Sequence, residues 1–231
     1  ELVSNLSHDL KTPITAIKGY VEGIMDGVAD TPEKMERYIK TIYNKANDMN
    51  RLINELTYYS GIDSNRIPYN FHRINVAEFF QDCVEDVGLD LESKDIELNY
   101  SNLVDPDTRI IADPEQLKKV INNIIGNSIK YIDKPKGIIN IRILDEVDSI
   151  RVEIDDNGKG IAAKDLGSIF ERFYRTDASR NSAMGGSGIG LSIVKKIIED
   201  HGGYIWATSK EGEGTCLHFV IRKYREVEEN E

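Results

Sequence analysis

The sequence predicts two domains: an all-α helical hairpin forming a dimeric four-helix bundle, followed by an α+β two-layer sandwich. Two observations carry this reading. Residues 1–60 hold two apolar stripes at helical spacing, and the residues after Val76 alternate amphipathic helices with short strands joined as hairpins. Helices mixed with hairpin-linked strands argue for an α+β layer rather than a doubly wound parallel sheet.

The first helix is read from Val3, Leu6, Leu10, Ile14, Ile17, Val21, Ile24 and Val28, which recur at threes and fours. Asp30-Thr31-Pro32-Glu33 then offers a cap, a proline suited to the first turn and an early acidic residue. The second helix keeps a stricter repeat through Met35, Ile39, Ile42, Ala46, Met49, Ile53 and Leu56, the pattern of a bundle seam. One hairpin cannot surround its own seam, so a second copy is expected to complete four helices. A break is expected at Ser60-Gly61. The expected boundaries are 1–66 for the helical domain, 67–75 for a linker, 76–225 for the α+β domain and 226–231 for an acidic tail.

Within the second domain, helices are expected over Val76 to about Leu91, Pro114 to about Tyr131 and Gly188 to Asp200. Strands are expected at Ile96–Tyr100, Arg109–Ala112, Ile138–Leu144, Ile150–Asp155, Tyr204–Thr208 and Thr215–Ile221.

Composition narrows the function. The 231 residues carry 29 Lys plus Arg against 40 Asp plus Glu, a formal charge of −11. A nucleic-acid binder needs a basic face, and this balance argues against one. No run approaches the roughly 18 apolar residues of a membrane span. Cys83 and Cys216 are the only cysteines, too few for a disulfide framework or a Cys-based zinc site, and they fit a reducing compartment.

Four local patterns carry chemistry. His8 projects away from the apolar stripe of its helix, with Thr12 and Thr15 on its side. Asp9 adjoins it, and Pro13 removes a hydrogen bond to the Asp9 carbonyl. A carboxylate beside an exposed imidazole can fix its tautomer and leave the other nitrogen free to attack. On the helix from Pro114, Asn123, Asn127 and Lys130 form one row at i, i+4 and i+7, where two amides and an ammonium can meet an oxyanion and a hard cation. Strand alternation turns Asp156 inward with Val152 and Ile154, and an inward carboxylate needs donors. Asn157-Gly158-Lys159-Gly160 follows, and Gly185-Gly186-Ser187-Gly188-Ile189-Gly190 leads into a helix whose amides suit phosphate. Neither the dinucleotide fingerprint nor a P-loop is present.

These residues together resemble the catalytic core of bacterial sensor histidine kinases, whose nucleotide domain belongs to the wider GHKL (Bergerat-type) ATPase group. The N box is Asn123-Ile-Ile-Gly-Asn127-Ser-Ile-Lys130-Tyr131 and the first glycine box Asp156-Asn-Gly158-Lys-Gly160-Ile161. The phenylalanine box is Phe170-Glu-Arg-Phe173-Tyr-Arg175, the second glycine box Gly186-Ser187-Gly188-Ile189-Gly190-Leu191 and the third Gly212-Glu-Gly214-Thr215. Leu6-Ser-His8-Asp9-Leu-Lys-Thr12-Pro13-Ile14 resembles the phosphoacceptor box. Ser128 stands where alanine is common and Asp9 where glutamate is the usual alternative.

The resemblance implies ATP and Mg²⁺, with Asp156 accepting the adenine amino hydrogen, Asn127 on the metal, and Asn123, Lys130 and Arg175 on phosphates. Tyr131 would pack near the base, and the loop Thr176–Gly186 would act as a lid. His8 would take the γ-phosphoryl group and pass it to an aspartate of a response-regulator receiver domain. The acid-x-x-Thr pattern of Asp9 and Thr12 implies phosphatase activity toward that partner. A homodimer, no nucleic-acid partner, and a membrane-anchored parent with this part on its cytoplasmic side are further implications. The alternative is a GHKL-type ATPase or a nucleotide-binding scaffold without histidine phosphotransfer.

Overall fold

The computed structural model describes residues 2–63, 68–172, 174 and 188–225, with side chains described for 10–50, 53, 68–172, 174 and 188–225. The chain divides into two units, one of residues 1–67 and 185–189, chiefly helical, and an α/β unit of residues 68–184 and 190–231.

In the helical unit, α1 (Leu2–Met25) runs unbroken through Pro13, and α2 spans Pro32–Asp63. The α1 C-terminus closes with Val28 N–H on the Gly23 carbonyl at 2.9 Å. Thr31 caps α2: its hydroxyl accepts from Lys34 N–H at 3.2 Å and its carbonyl from Met35 N–H at 2.9 Å. The helices meet through an edge-to-face contact of Tyr20 and Tyr38, with ring centroids 5.0 Å apart. Ile14, Val21, Ile39 and Ile53 remain exposed, as expected where two helices cannot enclose their own seam. The break expected at Ser60-Gly61 does not occur, and α2 continues to Asp63.

The α/β unit holds β1 (His72–Asn75), α3 (Val76–Ser93), β2 (Ile96–Asn102), β3 (Arg109–Ala112), α4 (Pro114–Tyr131), β4 (Gly137–Asp145) and β5 (Ser149–Asp156). After the residues outside the described set come α5 (Gly190–Asp200), β6 (Tyr204–Lys210) and β7 (Gly214–Arg222). The main sheet has the order β2-β4-β5-β7-β6, with β2 and β4 parallel and the other neighbours antiparallel. It is therefore a mixed sheet.

Strand alternation sends Ile139, Ile141, Ile143, Ile150, Val152, Ile154, Leu217, Phe219 and Ile221 to one buried face. The buried stripes of α3 (Val76, Phe80, Leu91), α4 (Leu117, Val120, Ile121, Ile124) and α5 (Val194, Ile197, Ile198) supply the rest of the core. Asn75 and Asp113 start α3 and α4 as N-caps, accepting from Glu78 N–H and Gln116 N–H.

Two local readings change. Residues 67–75, expected as a linker, contain β1, which pairs antiparallel with β3. The last helix begins at Gly190 rather than Gly188, because Gly188 takes φ +69°, a left-handed conformation that no helix residue holds. Among the described residues no helix is long and apolar enough to cross a membrane.

Candidate active site

Asp156 ends β5 on the helix-facing side of the sheet and is 9% exposed. Its Oδ2 accepts the Ser128 hydroxyl of α4 at 2.7 Å and its Oδ1 accepts Gly158 N–H at 2.9 Å. Burial raises its carboxyl above the usual carboxylate range, against the hydrogen bonds from Ser128, Gly158 and the Thr215 backbone. Three protein donors thus share the two oxygens, whose lone pairs leave acceptor capacity for one more.

The glycine turns are interlocked around this carboxylate. Gly160 has φ +70°, and a Cβ there would lie 2.1 Å from the Lys210 carbonyl oxygen. Gly214 has φ +148°, with its hypothetical Cβ 1.9 Å from the Asp156 carbonyl oxygen. Only a glycine fits either place. Gly212 N–H donates to the Lys159 carbonyl at 2.7 Å, joining the turn after Asp156 to the β6–β7 turn. Ser209 completes the joint. It donates to the Gly214 carbonyl at 2.7 Å and accepts Ile161 N–H at 2.8 Å, which leaves Thr215 to donate its hydroxyl to Ser209 at 2.8 Å. Lys134 ties the same turn to the end of α4, donating to the carbonyls of Gly212 and Glu213 at 3.0 and 3.1 Å.

Asn123, Asn127 and Lys130 share a half-buried row on α4, and Tyr131 follows at its end. Asn123 donates its amide to the Lys119 carbonyl at 3.0 Å, and a Cβ on Gly190 would lie 3.2 Å from its Oδ1. The α4 row and the start of α5, with Leu191 half-buried in its first turn, are therefore adjacent. Lys130 and Lys159 sit 4.9 and 4.7 Å from the Tyr131 ring centroid, two cations over one aromatic face system. The concentration of ammonium groups and glycine-freed amides beside one buried carboxylate suits a ligand with a polyanionic end and a hydrogen-bond-donating end.

Asp156, Gly158, Gly160, Ile161, Thr215, Asn123, Gly190, Lys130 and Tyr131 are thus linked by the contacts described. Gly188 and Ile189 precede α5, and Ile189 is buried. Phe173, Arg175, Gly186 and Ser187 lie outside the described residues, as does the whole of the expected lid, 176–186. His8 and Asp9 fall on α1, with their side chains outside the described set, while Thr12 is exposed on the same helix. Thr15, which shares the His8 side, bonds back to the Lys11 carbonyl at 2.8 Å.

Sequence reasoning missed Ser128, Ser209 and Lys134 as contributors. Ser128 was legible as a hydroxyl on an apolar helix stripe, which needs a partner. Ser209 and Lys134 leave no such signal, since their partners are backbone carbonyls brought near by the sheet.

Fold and site define a GHKL-type nucleotide-binding domain preceded by a helical hairpin with a histidine on its first helix. Comparison with known proteins agrees. Residues 112–225 match the family described as histidine kinase-, DNA gyrase B-, and HSP90-like ATPase, and residues 1–65 match the His Kinase A (phospho-acceptor) domain. The chain belongs to the sensor histidine kinases, as their catalytic core. It is 33% identical to the sensor histidine kinase WalK of Bacillus subtilis (strain 168), over 100% of this chain and 38% of that protein. A sensor protein kinase WalK of Staphylococcus aureus is 31% identical over 96% of this chain and 53% of its own length. The chain thus spans about two fifths to one half of these relatives. Among solved structures, histidine kinase ThkA in complex with response regulator protein TrrA superposes with a TM-score of 0.78 at 27% identity, covering 97% of this chain and 61% of that one. The Acinetobacter baumannii histidine kinase AdeS shares the fold, with a TM-score of 0.73 at 22% identity over 93% of this chain and 97% of that one.

Proposed function

We propose that this chain binds ATP in its α/β unit, phosphorylates itself on His8 and passes the phosphoryl group to an aspartate of a response-regulator receiver domain. The observation that carries the nucleotide half is Asp156, a buried carboxylate held by Ser128 and Gly158 with acceptor capacity remaining. It would accept the adenine amino hydrogen, so an inosine analogue, which offers an acceptor there, is expected to be rejected. Tyr131 would pack beside the base. Gly158, Gly160, Ile161 and Thr215 would shape the adenine end. Asn123, Lys130 and Arg175 would contact phosphates, with the amides from Gly186 through Leu191 behind them. Phe173 belongs to the same set by its motif.

The side-chain oxygen of Asn127, half-buried on the row with Asn123, is a hard neutral donor and fits Mg²⁺, which neutralises phosphate charge when bound. In the transfer step, a lone pair of the His8 imidazole attacks the γ-phosphorus. The N–P bond forms, the P–O bond to ADP breaks, and ADP leaves. Asp9 holds the proton on the other ring nitrogen, and Thr12 is assigned to positioning water for the reverse, phosphatase reaction. Matching of residues 1–65 to the phospho-acceptor family supports this over an ATPase or scaffold lacking phosphotransfer. The solved complex of the ThkA kinase with the TrrA response regulator supports the second transfer.

Exposure of Ile14, Val21, Ile39 and Ile53 supports a homodimer through the helical hairpin. Sedimentation of the full chain checks this: a folded monomer at micromolar concentration would remove the dimer. The longer parent is proposed to be a membrane-anchored sensor with this core on the cytoplasmic side. Incubation with labelled Mg²⁺-ATP, followed by acid and base treatment, tests the central reading. A label that vanishes in acid, survives base and is lost in His8→Ala supports it, whereas an acid-stable label overturns it.

A further inference from the structure

On the sheet face opposite the helices, Glu153 of β5 stands directly across from His218 of β7, with Cys216 two residues earlier on the same face. One donor atom from each lies within 4.8 Å of the others. His218 Nδ1 is 3.3 Å from Glu153 Oε1 and 3.9 Å from Cys216 Sγ. A tetrahedral zinc with ordinary bond lengths requires an N···O edge of about 3.4 Å and an N···S edge of about 3.6 Å. The cluster is within a few tenths of an ångström of both.

We propose that Glu153, Cys216 and His218 form a three-ligand site for a divalent ion of the zinc class, with water in the fourth position. The donor set of one thiolate, one imidazole and one carboxylate selects such an ion over Mg²⁺ or Ca²⁺, which take oxygen.

Supporting contacts hold each ligand. Thr208 Oγ1 lies 2.8 Å from His218 Nε2, so the tautomer with hydrogen on Nε2 donates there and turns the Nδ1 lone pair toward the other two donors. Trp206 stacks on the imidazole at 4.9 Å and 6° between planes, fixing the ring. Arg142 donates to Glu153 Oε2 at 3.0 Å, while Oε1, 3.4 Å from Arg151 Nε, faces the cluster.

Charge also balances. A carboxylate and a thiolate neutralise a divalent ion, while Arg142 and Arg151 beside Glu153 are offset by Asp155 and by Glu146, the latter 3.5 Å from Arg151. The carboxylates of Asp155 and Glu153 beside Cys216 attract a cation. In the competing arrangement, the other tautomer donates Nδ1–H to Glu153 and the cluster is satisfied without an ion. The two arrangements differ in whether Cys216 acquires a metal bond.

Cobalt(II) is the probe, titrated into the full chain without nucleotide. One Co²⁺ per chain is expected, with a near-ultraviolet thiolate-to-cobalt band that Zn²⁺ abolishes by displacement. Cys216→Ser is expected to remove the band and Cys83→Ser to keep it. His218→Ala should weaken Co²⁺ binding more than Thr208→Val, an exposed position where the loss is expected to be about tenfold. No band at millimolar Co²⁺, or a band that persists in Cys216→Ser, overturns the site. So does a band whose affinity is unchanged in both His218→Ala and Thr208→Val, which marks binding by a thiol alone.

Discussion

The hydroxyl of Ser128 on α4 donates to Asp156 Oδ2 on β5 at 2.7 Å, and both side chains are buried. The bond favours the ionised carboxylate, which burial opposes. Asp156→Asn is expected to lose most ATP affinity while remaining folded. In Ser128→Ala the carboxylate loses a donor, a cost of about 1–3 kcal/mol for a buried charged acceptor. Its pKa should rise further, so ATP affinity should fall on acidification at a higher pH than in the parent. Titrations of ATP from neutral pH downward read this, and superimposable profiles would separate Ser128 from nucleotide binding.

Labelling of Asp9 and Thr12 variants tests the division of labour around His8. Thr12→Ala is expected to autophosphorylate at the parent rate but to dephosphorylate the phosphorylated regulator slowly. Asp9→Ala should lose autophosphorylation first. Parent-rate dephosphorylation by Thr12→Ala would make Thr12 structural.

The interlocked turns predict which glycines tolerate a methyl group. Gly160→Ala and Gly214→Ala each drive a Cβ into a carbonyl oxygen at positive φ, and a loss of about 1–3 kcal/mol of stability is expected. ATP affinity should fall with it. Gly167, with nothing within 4 Å of its hypothetical Cβ, is the control. Thermal melts with and without ATP compare the three, and Gly214→Ala melting with the parent would contradict the tight approach to Asp156.

His201 links folding to pH. Its Nδ1–H donates to the Ile197 carbonyl at 2.7 Å and its Nε2 accepts Asp113 N–H at 3.0 Å, so the neutral ring is required. Burial holds its pKa below the usual imidazole range, outweighing the Ile197 bond and the charges of Asp113 and Asp200. The sign follows. A depressed folded pKa gives stability that is complete above the unfolded value of about 6.5 and lost as pH falls through the folded value. His201→Gln should therefore be less stable at neutral pH but lose less on acidification. Urea midpoints at several pH values measure this, and an unaltered acid slope would exclude His201.

Short-range sequence patterns specify the two hairpin helices, the cap before α2, most strands and the motifs around Asp156. Apolar spacing reports a helix face, and a cap lies three residues from its donor. Even the inward direction of Asp156 follows from alternation along one strand. Which residues become partners is set by tertiary packing. β1 is four residues long, too short to announce itself, and exists through its pairing with β3. Ser128 meets Asp156 only because α4 packs on the sheet. Ser209 serves Ile161 and Thr215 because β6 and β7 set its register. The two cysteines read as too few for a Cys-based zinc site, and Glu153 faces Cys216 and His218 only through the β5–β7 pairing. Period-two alternation assigns a face to each strand residue, but the register that opposes two residues is set by the packing of the whole sheet.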